Sequence, residues 1–293
     1  MAWLLRSPQQ PLQDSRTTKP MAITSSSVAL VTGASSGIGK AIVLRLIADG
    51  WIVYGAARRR DKMDEIAAAG AKVLAIDLTD EASMTTAINT LLAAEGRLDA
   101  LVNNAGYGSY GALEDVPIEE ARRQFEVNVF GLMRLTQLVL PTMRAAKSGT
   151  IVNISSMGGR IWMPIGGWYH ATKHALEVLS DTLRVEVAPF GVRVVVVQPG
   201  QIESEWSQIA AQTLDRTSVG SVYSDQIAPV RKLLSDYSNA SPPDCVAQAV
   251  SQAVNSPNPD RRYATPLDAE IFVFLRWLLP EQAWEWLIST IIR

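Results

Sequence analysis

The sequence predicts an α/β fold: a single doubly wound domain with a central parallel sheet flanked by helices. Short apolar runs alternate with amphipathic stretches from Val28 onward, at intervals suited to parallel β-α-β units with right-handed crossovers. The first run leads straight into Gly33-Ala34-Ser35-Ser36-Gly37-Ile38-Gly39, a glycine-rich passage from strand to helix of the Rossmann type. No Pro/Gly-rich linker and no internal repeat divides residues 28–265, so they are expected to fold as one unit, with 266–293 as a helical tail.

Residues 1–27 are rich in Ser, Thr, Pro and Gln without apolar period and are expected to be a disordered leader. The opening Met1–Arg6 is too short an apolar run for a signal peptide or a membrane span. Val28–Thr32 reads as the first strand and Lys40–Asp49 as the helix after it. Glycines between them allow backbone N–H groups and the helix N-terminus to face a phosphate. The spacing is Gly-x-x-x-Gly-x-Gly rather than Gly-x-Gly-x-x-Gly, and a plain surface turn is the alternative. The second strand, Trp51–Ala57, ends in Arg58-Arg59-Arg60. In dinucleotide folds this strand end meets the adenosine ribose, where an acid bonds the 2′-hydroxyl and an arginine accommodates a 2′-phosphate. Ala57 stands in the acid's place and Arg58 follows it, so the pattern favours NADP over NAD. Arg59 and Arg60 read as solvated.

Lys72–Ile76 is the third strand, ending in Asp77-Leu78, and Thr79-Asp80 caps a helix running to Glu95. Leu98–Val102 is the fourth strand and enters Asn103-Asn104-Ala105-Gly106. Thr150–Ile154 and Val192–Val197 continue the sheet, with helices over Ile118–Ala146 and Tyr169–Ala188 between them.

Composition narrows the function classes. Apolar residues make up 47% and charged ones 19%, a globular balance, and the net charge of −2 carries no footprint for nucleic acid. Cys245 is the sole cysteine, so no intrachain disulfide forms and a reducing, cytoplasmic setting is expected. With two histidines, His170 and His174, no metal site is expected; both read as ordinary helix positions.

The chemistry centres on Tyr169-His170-Ala171-Thr172-Lys173. On a helix, Tyr169 and Lys173 lie one above the other. A free phenol ionises near pH 10, and a neighbouring ammonium favours the phenolate and draws that value down. Tyr-x-x-x-Lys also arises by chance, so other motifs must decide. Thr32-Gly33-x-x-x-Gly37-x-Gly39, Asn103-Asn104-Ala105-Gly106, Asn128-Val129-Phe130-Gly131, Ser155-Ser156, Tyr169-x-x-x-Lys173 and Pro199-Gly200 occur in this order. Together they resemble the short-chain dehydrogenase/reductase family over roughly residues 28–265. The wording of Asn103–Tyr107, Phe125–Gly131 and Ala188–Gly191 resembles its 17β-hydroxysteroid and retinol dehydrogenase-like branch.

The resemblance implies roles residue by residue. Tyr169 would be the general acid or base, and Lys173 would lower its pKa and bond the nicotinamide ribose. Ser156, thirteen before Tyr169, would donate to the substrate oxygen, with Ser155 as fallback. Asn128 would hold a water that links Lys173 to solvent. Gly33, Ser35, Ser36, Gly37, Ile38 and Gly39 would hold the cofactor phosphates. Asp77 and Leu78 would contact adenine and Asn104 its ribose. Pro199, Ile202 and Ser204 would flank the nicotinamide, Ser204 standing where the family often has threonine.

Residues 107–114, Arg160–Trp168 and a mobile segment Glu203–Ala240 are expected to flank the substrate, with Trp162, Met163, Pro164, Ile165, Trp168 and Trp206 suggesting an apolar cavity. The tail, too short in either apolar run to span a bilayer, is expected to close that cavity or join subunits; peripheral membrane contact is its alternative use. The first hypothesis is an NADP-preferring oxidoreductase acting on a hydrophobic ketone or secondary alcohol, steroid-like or cyclic among the options. The second is a cofactor-binding regulatory or scaffold protein with little catalysis. The resemblance implies a homodimer or homotetramer through the two long helices.

Overall fold

Every residue of β1 (Val28–Thr32) is buried, because this unalternating apolar run lies in a sheet covered on both faces. Ala29 and Val31 face one layer of helices, Val28 and Leu30 the other. The computed structural model to which this strand belongs describes residues 27–236, 238 and 240–292. The predicted leader, Ser27 apart, lies outside the described residues.

After β1 come α1 (Gly37–Ala48), β2 (Ile52–Ala57), α2 (Asp64–Ala68), β3 (Lys72–Ala75), α3 (Glu81–Glu95) and β4 (Ala100–Asn103). The second half runs α4 (Ile118–Phe125), α5 (Leu132–Ala146), β5 (Gly149–Ile154), α6 (Gly167–Val187) and β6 (Val192–Pro199). Then follow α7 (Glu205–Thr217), α8 (Ser224–Ser235), α9 (Asp244–Asn255), β7 (Arg262–Thr265), α10 (Leu267–Leu278) and α11 (Glu281–Ile291). The sheet order is β3-β2-β1-β4-β5-β6-β7, all parallel. Its order reverses between β1 and β4, which opens a crevice at the carboxyl ends of those strands.

Four expectations are corrected. The first helix starts at Gly37, not Lys40, since the glycines themselves enter its first turn. The single helix expected over Ile118–Ala146 is divided by a π-helical turn, Glu126–Gly131. Gly131 in that turn meets Leu78, whose carbonyl oxygen would lie 2.1 Å from a Cβ there. The segment expected to be a mobile lid was not expected to be helical, and it holds two helices, α7 and α8. Their apolar faces pack Ala210, Leu214, Ile227, Val230 and Leu234 against Tyr110, Ile165 and Tyr169; Tyr237 and Asn239 lie outside the described residues. A seventh strand, β7, was not expected.

The described part of the tail holds α10 and α11. Trp284 of α11 is fully buried beside Ile161 and Ile288, with Trp162, Met163 and Phe272 packed around it. The last strand is tied to α6 by a buried carboxylate. Glu177 accepts from Arg262 Nε at 3.0 Å and from Gln198 Nε2 at 2.9 Å, while Arg262 Nη2 reaches Asp181 at 2.6 Å. Removing the guanidinium strands the Glu177 charge, so Arg262→Met should lower unfolding free energy by about 3 kcal/mol in urea titrations. Adding Glu177→Gln should recover most of that loss.

Candidate active site

A cleft of about 390 Å³ follows the carboxyl ends of β1, β4, β5 and β6. One end is the glycine turn, the other an apolar chamber under α7, α8, α10 and α11. Gly33 and Gly37 have φ of 69° and 49°, which side chains with a Cβ rarely adopt. Asn104 Nδ2 donates to Thr32 O at 2.9 Å and Thr32 Oγ1 accepts the Asn104 N–H at 3.1 Å, so β4 braces the turn. The N-terminus of α1 opens onto the cleft with no acid in its first turn, and the Ser36 side chain does not cap it. This end therefore fits a dinucleotide's phosphates. Gly33, Ser36, Gly37, Ile38, Gly39 and Asn104 line it; Ser35 is half-buried behind. Ser204, at the head of α7, approaches from the opposite wall, its Cβ 3.1 Å from where a Cβ on Gly37 would stand. Pro199 and Ile202 line the same wall.

Arg58, Asp77 and Leu78 lie beyond the lined cleft, at the ends of β2 and β3. Arg58 is exposed. Burial alone would raise the Asp77 carboxyl, but two hydrogen bonds from Thr79 and the charges of Arg58 and Arg123 hold it below its ordinary range. Arg123, from α4, is a second cation acting on Asp77, which the sequence did not mark and only the fold brings there.

At mid-cleft, α6 presents Tyr169 and Lys173 on one face, both buried. The Ser156 hydroxyl stands near enough to the Tyr169 phenol to favour its ionised form. Ser156 Oγ accepts the Gly158 N–H at 3.0 Å and has only a 3.5 Å contact from its own hydroxyl to Pro199 O. Ser155 Oγ is buried without a partner, and both serines belong to the cleft lining.

The expected electrostatics are corrected here. Burial pushes the Tyr169 phenol up to about 12, offset only in part by Ser156. Trp206 and Tyr110 cover its ring, with centroids 4.9 and 5.8 Å away. Lys173 does not draw the phenol down in this arrangement. Its Nζ donates to Ile154 O at 2.9 Å and lies 6.0 Å from the centre of the tyrosine ring. Burial also lowers Lys173 itself to about 8, against a smaller upward pull from Glu177.

Asn128, inside the π-helical turn, is buried and fully engaged: Nδ2 donates to Tyr107 O at 2.8 Å and Oδ1 accepts the Tyr107 N–H at 3.1 Å. It therefore fixes the loop at Gly106, where a Cβ would stand 3.1 Å from Asn128 Oδ1 and 3.9 Å from Lys173 Nζ. His170 donates through Nδ1 to Gly158 O at 3.0 Å, and burial lowers its pKa to about 4. Among the described residues no group of three metal-ligating side chains occurs.

On the substrate side, Met163 and Trp206 line the chamber as expected, joined by Tyr110 and Ile161. Trp168 does not. Its ring turns away to meet Phe125 edge-on at 6.4 Å, because it stands on the opposite side of α6 from the cleft. Trp162 and Ile165 pack behind the wall, and Pro164 is not part of the lining. Asp268, Phe272, Ile288 and Ile291 of the tail complete the chamber; in sequence they carry no signal beyond helical periodicity.

The depressed lysine sets a pH dependence. Below pH 8 folded and unfolded chains both keep the Lys173 proton, and its burial penalty is fully present. From about 8 to 10.5 the folded state releases it while the unfolded chain retains it, so wild-type stability should rise by about 3 kcal/mol relative to Lys173→Met. Urea unfolding of both proteins across that window measures the difference.

The short chain dehydrogenase family model matches residues 27–215. The chain is 34% identical over 257 residues to 3-ketodihydrosphingosine reductase of Bacteroides thetaiotaomicron, covering 87% of this chain and 93% of that one. It is also 34% identical over 265 residues to the NADPH-dependent 3-dehydrocapnine reductase of Ornithobacterium rhinotracheale, with 87% and 93% covered. Among solved structures, a short-chain dehydrogenase from Streptomyces avermitilis superposes with a TM-score of 0.74 at 35% identity, over 90% of this chain and 98% of that chain. The cleft, its glycine turn and these likenesses agree: the chain belongs to the short-chain dehydrogenase/reductase family of oxidoreductases.

Proposed function

We propose that the protein is an NADP-preferring reductase or dehydrogenase that interconverts a hydrophobic ketone and its secondary alcohol. One observation carries the reading: Tyr169 and Ser156 both line the cleft where its phosphate-fitting half joins its apolar half. Gly33, Ser35, Ser36, Gly37, Ile38 and Gly39 would hold the diphosphate. Asp77, Leu78 and Asn104 would hold the adenosine, and Lys173, Pro199, Ile202 and Ser204 the nicotinamide half. Arg58, with Arg123 acting on the same Asp77, supports a 2′-phosphate. The NADPH dependence in the name of one relative points the same way. When bound, the cofactor supplies or accepts the hydride.

Tyr169 Oη gives a proton to the ketone oxygen in reduction and takes it from the alcohol in oxidation. A phenol pushed up by burial carries its proton at neutral pH, the form from which an acid acts. Ser156 offers its loosely held hydrogen to the same oxygen as negative charge grows there. Lys173 is the nearest ammonium and would refill the proton after turnover, with Asn128 keeping the loop beside it in place.

Two relatives named for 3-keto and 3-dehydro substrates support ketone reduction. The apolar chamber supports a hydrophobic substrate, and ring-bearing ketones of the steroid kind belong in the same screen. Exposed Phe130, Val178 and Val185, the last two on one face of α6, support a homodimer or homotetramer. The single cysteine supports a cytoplasmic setting, and no helix among the described residues is long and apolar enough to cross a membrane. Exposed Phe274, Trp277 and Trp286 on the tail support reversible contact with a lipid surface.

Tyr169→Phe should keep cofactor affinity while kcat falls about 10³-fold, followed by absorbance of the reduced nicotinamide over a panel of ketones. An undiminished rate would refute the assignment. Arg58→Asp should move the kcat/KM ratio toward NAD; an unchanged ratio removes the support for NADP.

A further inference from the structure

This inference rests on the reading of the cleft as a ketone and alcohol site, and concerns a second polar contact to what enters it. Tyr110, from the loop after β4, lines the chamber. Its ring lies 5.8 Å from that of Tyr169, tilted by 31°, and meets Trp206 edge-on at 6.1 Å. Two other segments hold it there. Thr217 Oγ1, at the end of α7, donates to Tyr110 O at 2.7 Å. The next residue, Gly111, donates its N–H to Ile165 O at 2.7 Å, and a Cβ on it would stand 2.6 Å from Thr217 Oγ1. Ile165 has a φ of 66°, which a β-branched side chain rarely adopts. Gly166 completes the seat, since a Cβ there would lie 2.8 Å from Tyr110 Cε1. Tyr110 is thus fixed from several sides, on one of them by a strained turn.

Its hydroxyl is left free. Among the described residues nothing hydrogen-bonds to Tyr110 Oη, yet it is not one of the unpaired polar atoms sealed inside the protein. Tyr107 Oη, three residues earlier, is sealed in that way. The Tyr110 oxygen therefore keeps accessible surface, and the residue belongs to the cleft lining. Burial, with a smaller push from Tyr169, holds the phenol well above its ordinary range, so it keeps a proton to donate.

Packing does not require this oxygen: phenylalanine would fill the same seat and keep both ring contacts. A wholly apolar ligand filling the chamber would strip the hydroxyl of solvent and leave it unpaired, which opposes binding. A ligand that brings an acceptor to it removes that penalty. A site built this way discriminates against ligands that lack the acceptor. We propose that Tyr110 is a specificity-determining residue whose hydroxyl donates to a second carbonyl oxygen of the substrate, set at a fixed spacing from the ketone that Tyr169 and Ser156 handle.

The test begins with binding in the presence of oxidised NADP, which cannot reduce a ketone. Ethyl 2-, 3-, 4- and 5-oxooctanoate are isomers that differ in the spacing of ketone and ester. They are titrated calorimetrically into the full-length protein, wild type and Tyr110→Phe. Wild type should bind one spacing at least about tenfold tighter than the weakest, and Tyr110→Phe should level the series. A level series in wild type overturns the proposal whether or not the variant folds. A preference that survives in Tyr110→Phe also overturns it. Turnover of the same isomers with NADPH follows, read as the ratio of wild-type to variant kcat/KM, in which each ketone's own electrophilicity cancels. That ratio should be largest, about tenfold, for the isomer bound tightest; an equal ratio for all four overturns the proposal. If neither protein reduces any isomer while binding behaves as expected, the oxidoreductase reading fails and the Tyr110 contact stands.

Discussion

A phenol and an amine one helical turn apart are both largely buried at the wall of the cleft, and this desolvation governs the rest of the site. It raises Tyr169 to about 12 and lowers Lys173 to about 8, so both groups favour their neutral forms, and the pair exchanges no direct hydrogen bond. In water such a lysine would stay fully charged and the phenol near 10. Dryness therefore moves the phenol in the sense opposite to the one expected from a neighbouring ammonium.

Distant parts of the chain supply that dryness. Trp206 at the start of α7 lies on the tyrosine ring, and Tyr110 from the loop after β4 leans on both. Their approach depends on glycines: a Cβ on Gly108 would stand 2.4 Å from the Trp206 ring. Ile154 at the end of β5 gives the lysine its acceptor, and Asn128 holds the neighbouring loop from a helix turn widened to admit it. The site is thus assembled from four strand ends and from helices that come after the sheet is nearly complete.

The C-terminal helices have two faces with different partners. Inward, Trp284 and Ile288 anchor them to Ile161, while Phe272 and Ile291 wall the chamber. Outward, Phe274 and Trp277 stack at 5.9 Å with the indole 79% exposed. A chamber whose wall is also an exposed apolar surface is suited to ligands that are themselves poorly soluble in water.

What the sequence determined by itself is what local periodicity and short motifs encode. Six of the strands, the glycine turn and the shared face of Tyr169 and Lys173 were legible, because each rests on spacing within one element or one turn. Tertiary structure decided the rest. The π-helical turn at Asn128 follows from how closely Gly131 must meet Leu78; β7 is a four-residue edge strand, Arg262–Thr265, only half-buried, that the apolar pattern does not mark. Trp168 turns outward, Arg123 acts on Asp77, and Asp268 reaches the cleft across 67 residues of chain from Gln201. The ionisation of Tyr169 and Lys173 belongs to this second group. It depends on the polarity of the surrounding medium, which is created by residues far apart in the chain and has no local signature.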